Sequence, residues 1–156
     1  MKLHKSITDN INYYSNIIMK VSFIIIISNL FGAIVFFLLG FSSSFKANDI
    51  TSPISLLFAY FIEICFIMIV IGVLFAIGAY HLKKLRLWAN KLLSLVSLFL
   101  IFVIWFISLV ILIGMINFET TLAIKFIIVA TAIVWTIPFA YLIHYLNKKE
   151  TKNCFK

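Results

Sequence analysis

The sequence predicts an all-α polytopic membrane protein, a four-helix transmembrane bundle with both termini in the cytoplasm, and three observations carry that prediction. Of 156 residues, 64% are hydrophobic and 12% charged, with a mean hydropathy of +1.17. An average soluble domain has about 45–50% apolar and about 25% charged residues, so this chain has too little charge to coat a water-facing surface. Four stretches, 21–45, 55–80, 92–118 and 122–146, reach the ~20 apolar residues that a helix needs to cross ~30 Å of hydrocarbon. The basic residues, finally, fall almost wholly on one side of those stretches.

Residues 1–20 form a cytoplasmic or interfacial leader, in which Tyr13 and Tyr14 beside Ile11, Ile17 and Ile18 predict an anchor of the aromatic-belt type. The first span, 21–45, exceeds the ~7–15 apolar residues of a secretory signal core and is read as a retained anchor. Ser42, Ser43, Ser44, Lys46, Asn48, Asp49 and Pro53 make the first outer connection. After the second span, 55–80, the stretch 81–91 has neither Gly nor Pro and spaces Leu82, Leu85, Trp88 and Leu92 at helical intervals. It predicts a short interfacial helix whose Lys83, Lys84, Arg86 and Lys91 contact anionic lipid headgroups. The polar break at 117–121 is short enough to make the third and fourth spans an antiparallel hairpin, and 147–156 is a basic cytoplasmic tail. The transmembrane domain is 21–146. A strand barrel would need alternating segments, whereas 23–27 and 98–112 are apolar on every side.

Orientation follows from the excess of Lys and Arg on cytoplasmic flanks. With both termini inside, Lys2, Lys5, Lys20, Lys83, Lys84, Arg86, Lys91, Lys148, Lys149, Lys152 and Lys156 are cytoplasmic, while only Lys46 and Lys125 are outside. The net charge of +8 therefore reads as topology plus contact with anionic lipids rather than as a nucleic-acid surface. The chain is expected in a bacterial inner (cytoplasmic) membrane.

The run Lys84-Leu85-Arg86-Leu87-Trp88-Ala89-Asn90-Lys91-Leu92, leading into a long apolar helix, resembles the basic-Trp-Ala helix start of small bacterial four-span inner-membrane proteins with no assigned activity. The ending Tyr145-Leu146, then Lys148, Lys152 and Phe155, is similar to the basic tail closing many of them. Those proteins usually have Arg where this chain has Asn90. The resemblance covers about twenty residues, implies bacterial origin and carries no active site. The small, basic, polytopic build with short loops also looks like that of colicin-type immunity proteins.

A search for chemistry finds no Cys-x-x-Cys, no His-Glu-x-x-His and no paired intramembrane carboxylates, so neither an enzyme nor a cofactor nor a metal site is expected. Cys65 and Cys154 are kept apart by topology, His4 and His81 lie in aqueous flanks, and His144, between Tyr141 and Tyr145, reads as an interface anchor. Trp88 and Trp135 read as anchor and interior residues. Glu63 is the one ionisable side chain expected deep in a span, ~12 Å below the outer boundary at 1.5 Å per residue, and such a residue is a functional-site hypothesis by default. Ser108 and Thr131 are expected at its depth as partners. Pro138 frees a helix carbonyl, for which Thr131 and Thr136 are nearby hydroxyls. At 100° per residue, Gly72, Ala76 and Ala79 form a small-residue stripe opposite Glu63, a face on which a second copy of the chain can pack.

The expected function is that of a non-enzymatic inner-membrane protein acting through helix contacts with a membrane-protein partner or with itself. One alternative is an immunity protein against a pore-forming toxin. Another is a proton-coupled transporter or channel using Glu63. A holin fits less well, since four spans exceed what a lesion-former needs.

Overall fold

The computed structural model describes residues 2–40, 53–114, 122–152 and 154–155, and the side chains of 9–40 and 55–114 within the first two segments. The outer connections expected around 42–53 and 117–121 lie outside the described residues, as do the side chains of Lys2, His4 and Lys5. The described residues are helical: α1 is Lys2–Leu38, α2 Pro53–Ala59, α3 Phe61–Lys83, α4 Leu87–Gly114, α5 Leu122–Asn147 and α6 Lys149–Lys152. Among them, four helices are long and apolar enough to cross a membrane: Asp9–Leu38 within α1, then α3, α4 and α5. Their outward faces carry large apolar side chains such as Phe31, Phe66, Phe102 and Phe126, each at least 66% exposed. Water would penalise that surface and hydrocarbon does not, so the chain is an integral membrane protein.

α1 runs unbroken from Lys2 through the expected leader, because no Gly or Pro interrupts it before Gly32. It ends earlier than the 21–45 span. Leu39 N–H and Gly40 N–H bond the carbonyls of Val35 and Phe37, and Gly40 takes φ 67°, the left-handed cap that glycine adopts without strain. The second span begins later than residue 55. Tyr60, at φ −107° and ψ 20°, separates α2 from α3, so the long helix starts at Phe61.

The stretch 81–91 is not an interfacial helix. α3 stops at Lys83, the amides of Lys84 and Leu85 close back on the carbonyls of His81 and Leu82, and Leu85 takes φ 56°. α4 then begins at Leu87, five residues before the expected third span. Burial decides this. Leu82 and Leu93 are both fully buried, and a chain that buries both must reverse between them instead of lying flat on the surface.

α1 packs along α3 through small residues. A Cβ on Gly72 would stand 2.7 Å from Ile26 Cγ1 and 3.3 Å from the Ser22 carbonyl oxygen, and Ser15 Oγ donates to the Ala79 carbonyl at 2.6 Å. α3 meets α4 at Gly78, where a Cβ would stand 2.8 Å from Leu93. Asn90 at the start of α4 donates to the Leu146 carbonyl at the end of α5, 3.1 Å away. These contacts gather the start of α1, the end of α3, the start of α4 and the end of α5 at one end, called here the basic end. The main core lies in this half: Ile11, Phe75, Leu82, Leu93 and Leu146 are nearly or fully buried, and Cys154 and Phe155 of the tail fold in to join them. The tail is thus part of the folded body.

Candidate functional site

The residues expected around Glu63 are each held on a described helix. With α3 starting at Phe61, Glu63 falls in its first turn and is exposed. Ser108 Oγ donates to the Ile104 carbonyl and Thr131 Oγ1 to the Ile127 carbonyl, both at 2.8 Å, so each hydroxyl is engaged within its own helix. Thr136 likewise bonds the Ala132 carbonyl at 2.8 Å. Neither threonine therefore serves the Val134 carbonyl that Pro138 frees.

The small-residue stripe of α3 does stand opposite Glu63, but α1 of the same chain covers it. Gly72 and Ala79 are buried against Ile25, Ile26, Ser22 and Ser15, and Ala76 is partly buried. The face assigned to a second copy is filled from within. Of the expected lipid contacts, Lys83, Lys84, Arg86 and Lys91 are all exposed. Lys84 Nζ donates to the Tyr80 hydroxyl at 2.8 Å and lies 4.2 Å from that ring's centre.

One cavity of the basic end lies between α1 and α5. Tyr141, His144 and Tyr145 share one face of α5 because residues three and four apart lie above one another on a helix. α1 brings Tyr13 and Tyr14 across to meet them. The rings of Tyr14 and Tyr145 are 4.5 Å apart, those of Tyr14 and Tyr141 are 6.3 Å apart, and the Tyr14 and Tyr141 hydroxyls are 3.3 Å apart. Above them opens a cavity of about 480 Å³ reached by Asn10, His144, Lys148, Glu150 and Thr151. Lys148 and Glu150 pair across its rim at 3.1 Å. Below the same tyrosines lies a second cavity of about 290 Å³, walled by Ile17, Val21, Phe75, Trp135, Pro138 and Leu142.

Tyr14, Tyr141 and Tyr145 line both cavities and so form a partition between a polar chamber and an apolar cleft. Tyr145's hydroxyl oxygen is buried there with no hydrogen-bond partner. In sequence, Tyr14 and its neighbour Tyr13 read as an interface anchor, as did His144 between Tyr141 and Tyr145. What sequence reasoning missed is that Tyr14 meets Tyr141 and Tyr145, 127 and 131 positions away, and that a cleft lies beneath them. Among the described residues, no group of three His, Cys, Asp or Glu side chains stands close enough to hold a metal ion. No family model, no curated protein and no solved structure matches the chain.

Proposed function

We propose that the chain is a non-enzymatic protein of a bacterial inner membrane, a four-helix bundle with both termini cytoplasmic, which acts as an accessory or interaction protein through helix contacts. The observation that carries this reading is the open seam between α1 and α5. The α1–α3 seam closes on Gly72, and the α3–α4 seam closes on Gly78 at the basic end before opening further along as a shallow groove lined by Ile71, Leu74, Leu95 and Phe102. Between α1 and α5 the tyrosines hold the helices together at the basic end, and below them an apolar cleft of about 290 Å³ opens. Its walls include Trp135, 61% exposed, and Ile17, 39% exposed. Apolar surface gains nothing over lipid by chemistry alone in a bilayer, so association there depends on shape and close contact. A cleft with an aromatic wall offers that shape to a side chain of a partner helix.

The orientation is supported by Lys83, Lys84, Arg86, Lys91, Lys148, Lys149 and Lys152, which all lie at the basic end. A non-enzymatic role is supported by the engagement of Ser15, Ser22, Ser108, Thr131 and Thr136 with helix carbonyls. A photoreactive residue at Trp135, compared in intact membranes with one at exposed Phe126 outside the cleft, tests the reading. A protein adduct of one discrete mass from position 135 alone is expected. Lipid adducts from both positions, and nothing else, would overturn it.

A further inference from the structure

A second groove opens at the basic end, on the other side of α5. It lies between the start of α4 and the end of α5 and has a volume of about 600 Å³. Its polar rim is made by Asn90, Lys91 and Ser94 from α4 and by Asn147 and Lys152 from the other wall, and it descends onto Leu95, Leu98 and Ile143. Leu95 and Leu98 are 67% and 61% exposed. The ion pair of this end joins Lys148 to Glu150, and neither Lys91 nor Lys152 takes part in it. Two ammonium groups therefore flank one opening, and among the described residues neither has a carboxylate partner.

Asn90 adds an independent observation. It is 4% exposed, and its Nδ2 donates to the Leu146 carbonyl, which settles which amide atom is the oxygen. Its Oδ1 is buried with no hydrogen-bond partner among the described residues. A buried acceptor left unsatisfied is destabilising, and the ligand that satisfies it must bring a donor.

We infer that this groove binds one anionic glycerophospholipid of the basic-end leaflet, with its phosphate between Lys91 and Lys152, a headgroup hydroxyl donating to Asn90 Oδ1, and an acyl chain on Leu95 and Leu98. Charge complementarity selects the phosphate, the orphaned Asn90 oxygen selects a hydroxyl-bearing headgroup, and the exposed leucines continuing from the rim select a lipid over a free phosphate ester. The site does not depend on the accessory role proposed above.

The probes are phosphatidylglycerol and phosphatidylmethanol, which carry the same charge but differ in headgroup hydroxyls. Each is titrated into the full chain held in phosphatidylcholine nanodiscs, with bound lipid counted by native mass spectrometry. One phosphatidylglycerol per chain is expected, bound more tightly than phosphatidylmethanol. The double variant Lys91→Gln, Lys152→Gln should bind about 25-fold more weakly, about fivefold for each lysine beside an anionic headgroup. Lys20→Gln with Lys149→Gln removes the same charge outside the groove and should leave binding within about twofold. Equal losses from both double variants would mean diffuse attraction and overturn the site. Equal affinity for the two lipids would overturn the role of Asn90, and competition by soluble glycerol phosphate would overturn the lipid as occupant.

Discussion

The hydroxyl of Ser15 donates a 2.6 Å hydrogen bond to the carbonyl of Ala79, 64 residues further along the chain. Both residues are buried, and the bond sets the register of α1 on α3. Seven residues on from Ser15, Ser22 faces Gly72, seven residues back from Ala79. On this register the part of α1 opposite the apolar length of α3 begins near Ser15 rather than at Val21. Lys20 lies ~7 Å further in at 1.5 Å per residue, exposed, with a stem long enough to return its ammonium toward the headgroups.

Replacing Ser15 with Ala should lower the unfolding free energy by about 1 kcal/mol, the net worth of one such bond. Ser97 is equally buried, but its hydroxyl has no partner. Ser97→Ala should therefore leave stability unchanged or raise it. Equilibrium unfolding in mixed micelles compares the two, and equal losses would contradict the assignment.

Glycines 72 and 32 should respond to alanine with opposite signs. At Gly72 the new methyl would stand 2.7 Å from Ile26, inside contact distance, whereas at Gly32 its nearest neighbours are 3.8 Å away on Phe61. Gly72→Ala should cost about 1–3 kcal/mol through overpacking. Gly32→Ala should gain up to ~1 kcal/mol from helix propensity. Thermal unfolding of the purified variants gives both signs.

Leu85 holds φ 56° in the turn joining α3 to α4. A β-branched side chain tolerates that conformation worst, and Asn tolerates it well. Leu85→Ile, nearly isosteric, should destabilise by about 1–2 kcal/mol, while Leu85→Asn should lose less than its polarity suggests. Finding Ile the better tolerated in the same unfolding assay would place the turn elsewhere.

Reporter fusions test the proposed orientation. A reporter after Lys156 should be active in the cytoplasm, and one inserted within 43–53 should be active outside. An externally active C-terminal reporter would reverse the arrangement of the basic end.

Local chemistry made much of this protein legible from its residues in order. Four apolar runs without interruption cannot satisfy their backbone in lipid except as helices, and α5 at Leu122–Asn147 lies within a residue of the expected 122–146. The angles around α3 placed Gly72 and Ala79 on one face opposite Glu63, and they do share it, because helical geometry is a local property. Tertiary contact decided what local pattern leaves open. Which surface covers that stripe depends on where α1 settles, and Ser15, Ser22 and Ile26 place it there. The reversal at Leu85 and the insertion of Cys154 and Phe155 into the core follow from burial gained between distant segments. The meeting of Tyr14 with Tyr145, and the pairing of Asn90 with Leu146 that leaves one amide oxygen facing no donor, depend on side-chain contacts across 131 and 56 residues. Periodicity along a chain says which face of a helix is which, and only packing says what stands against it.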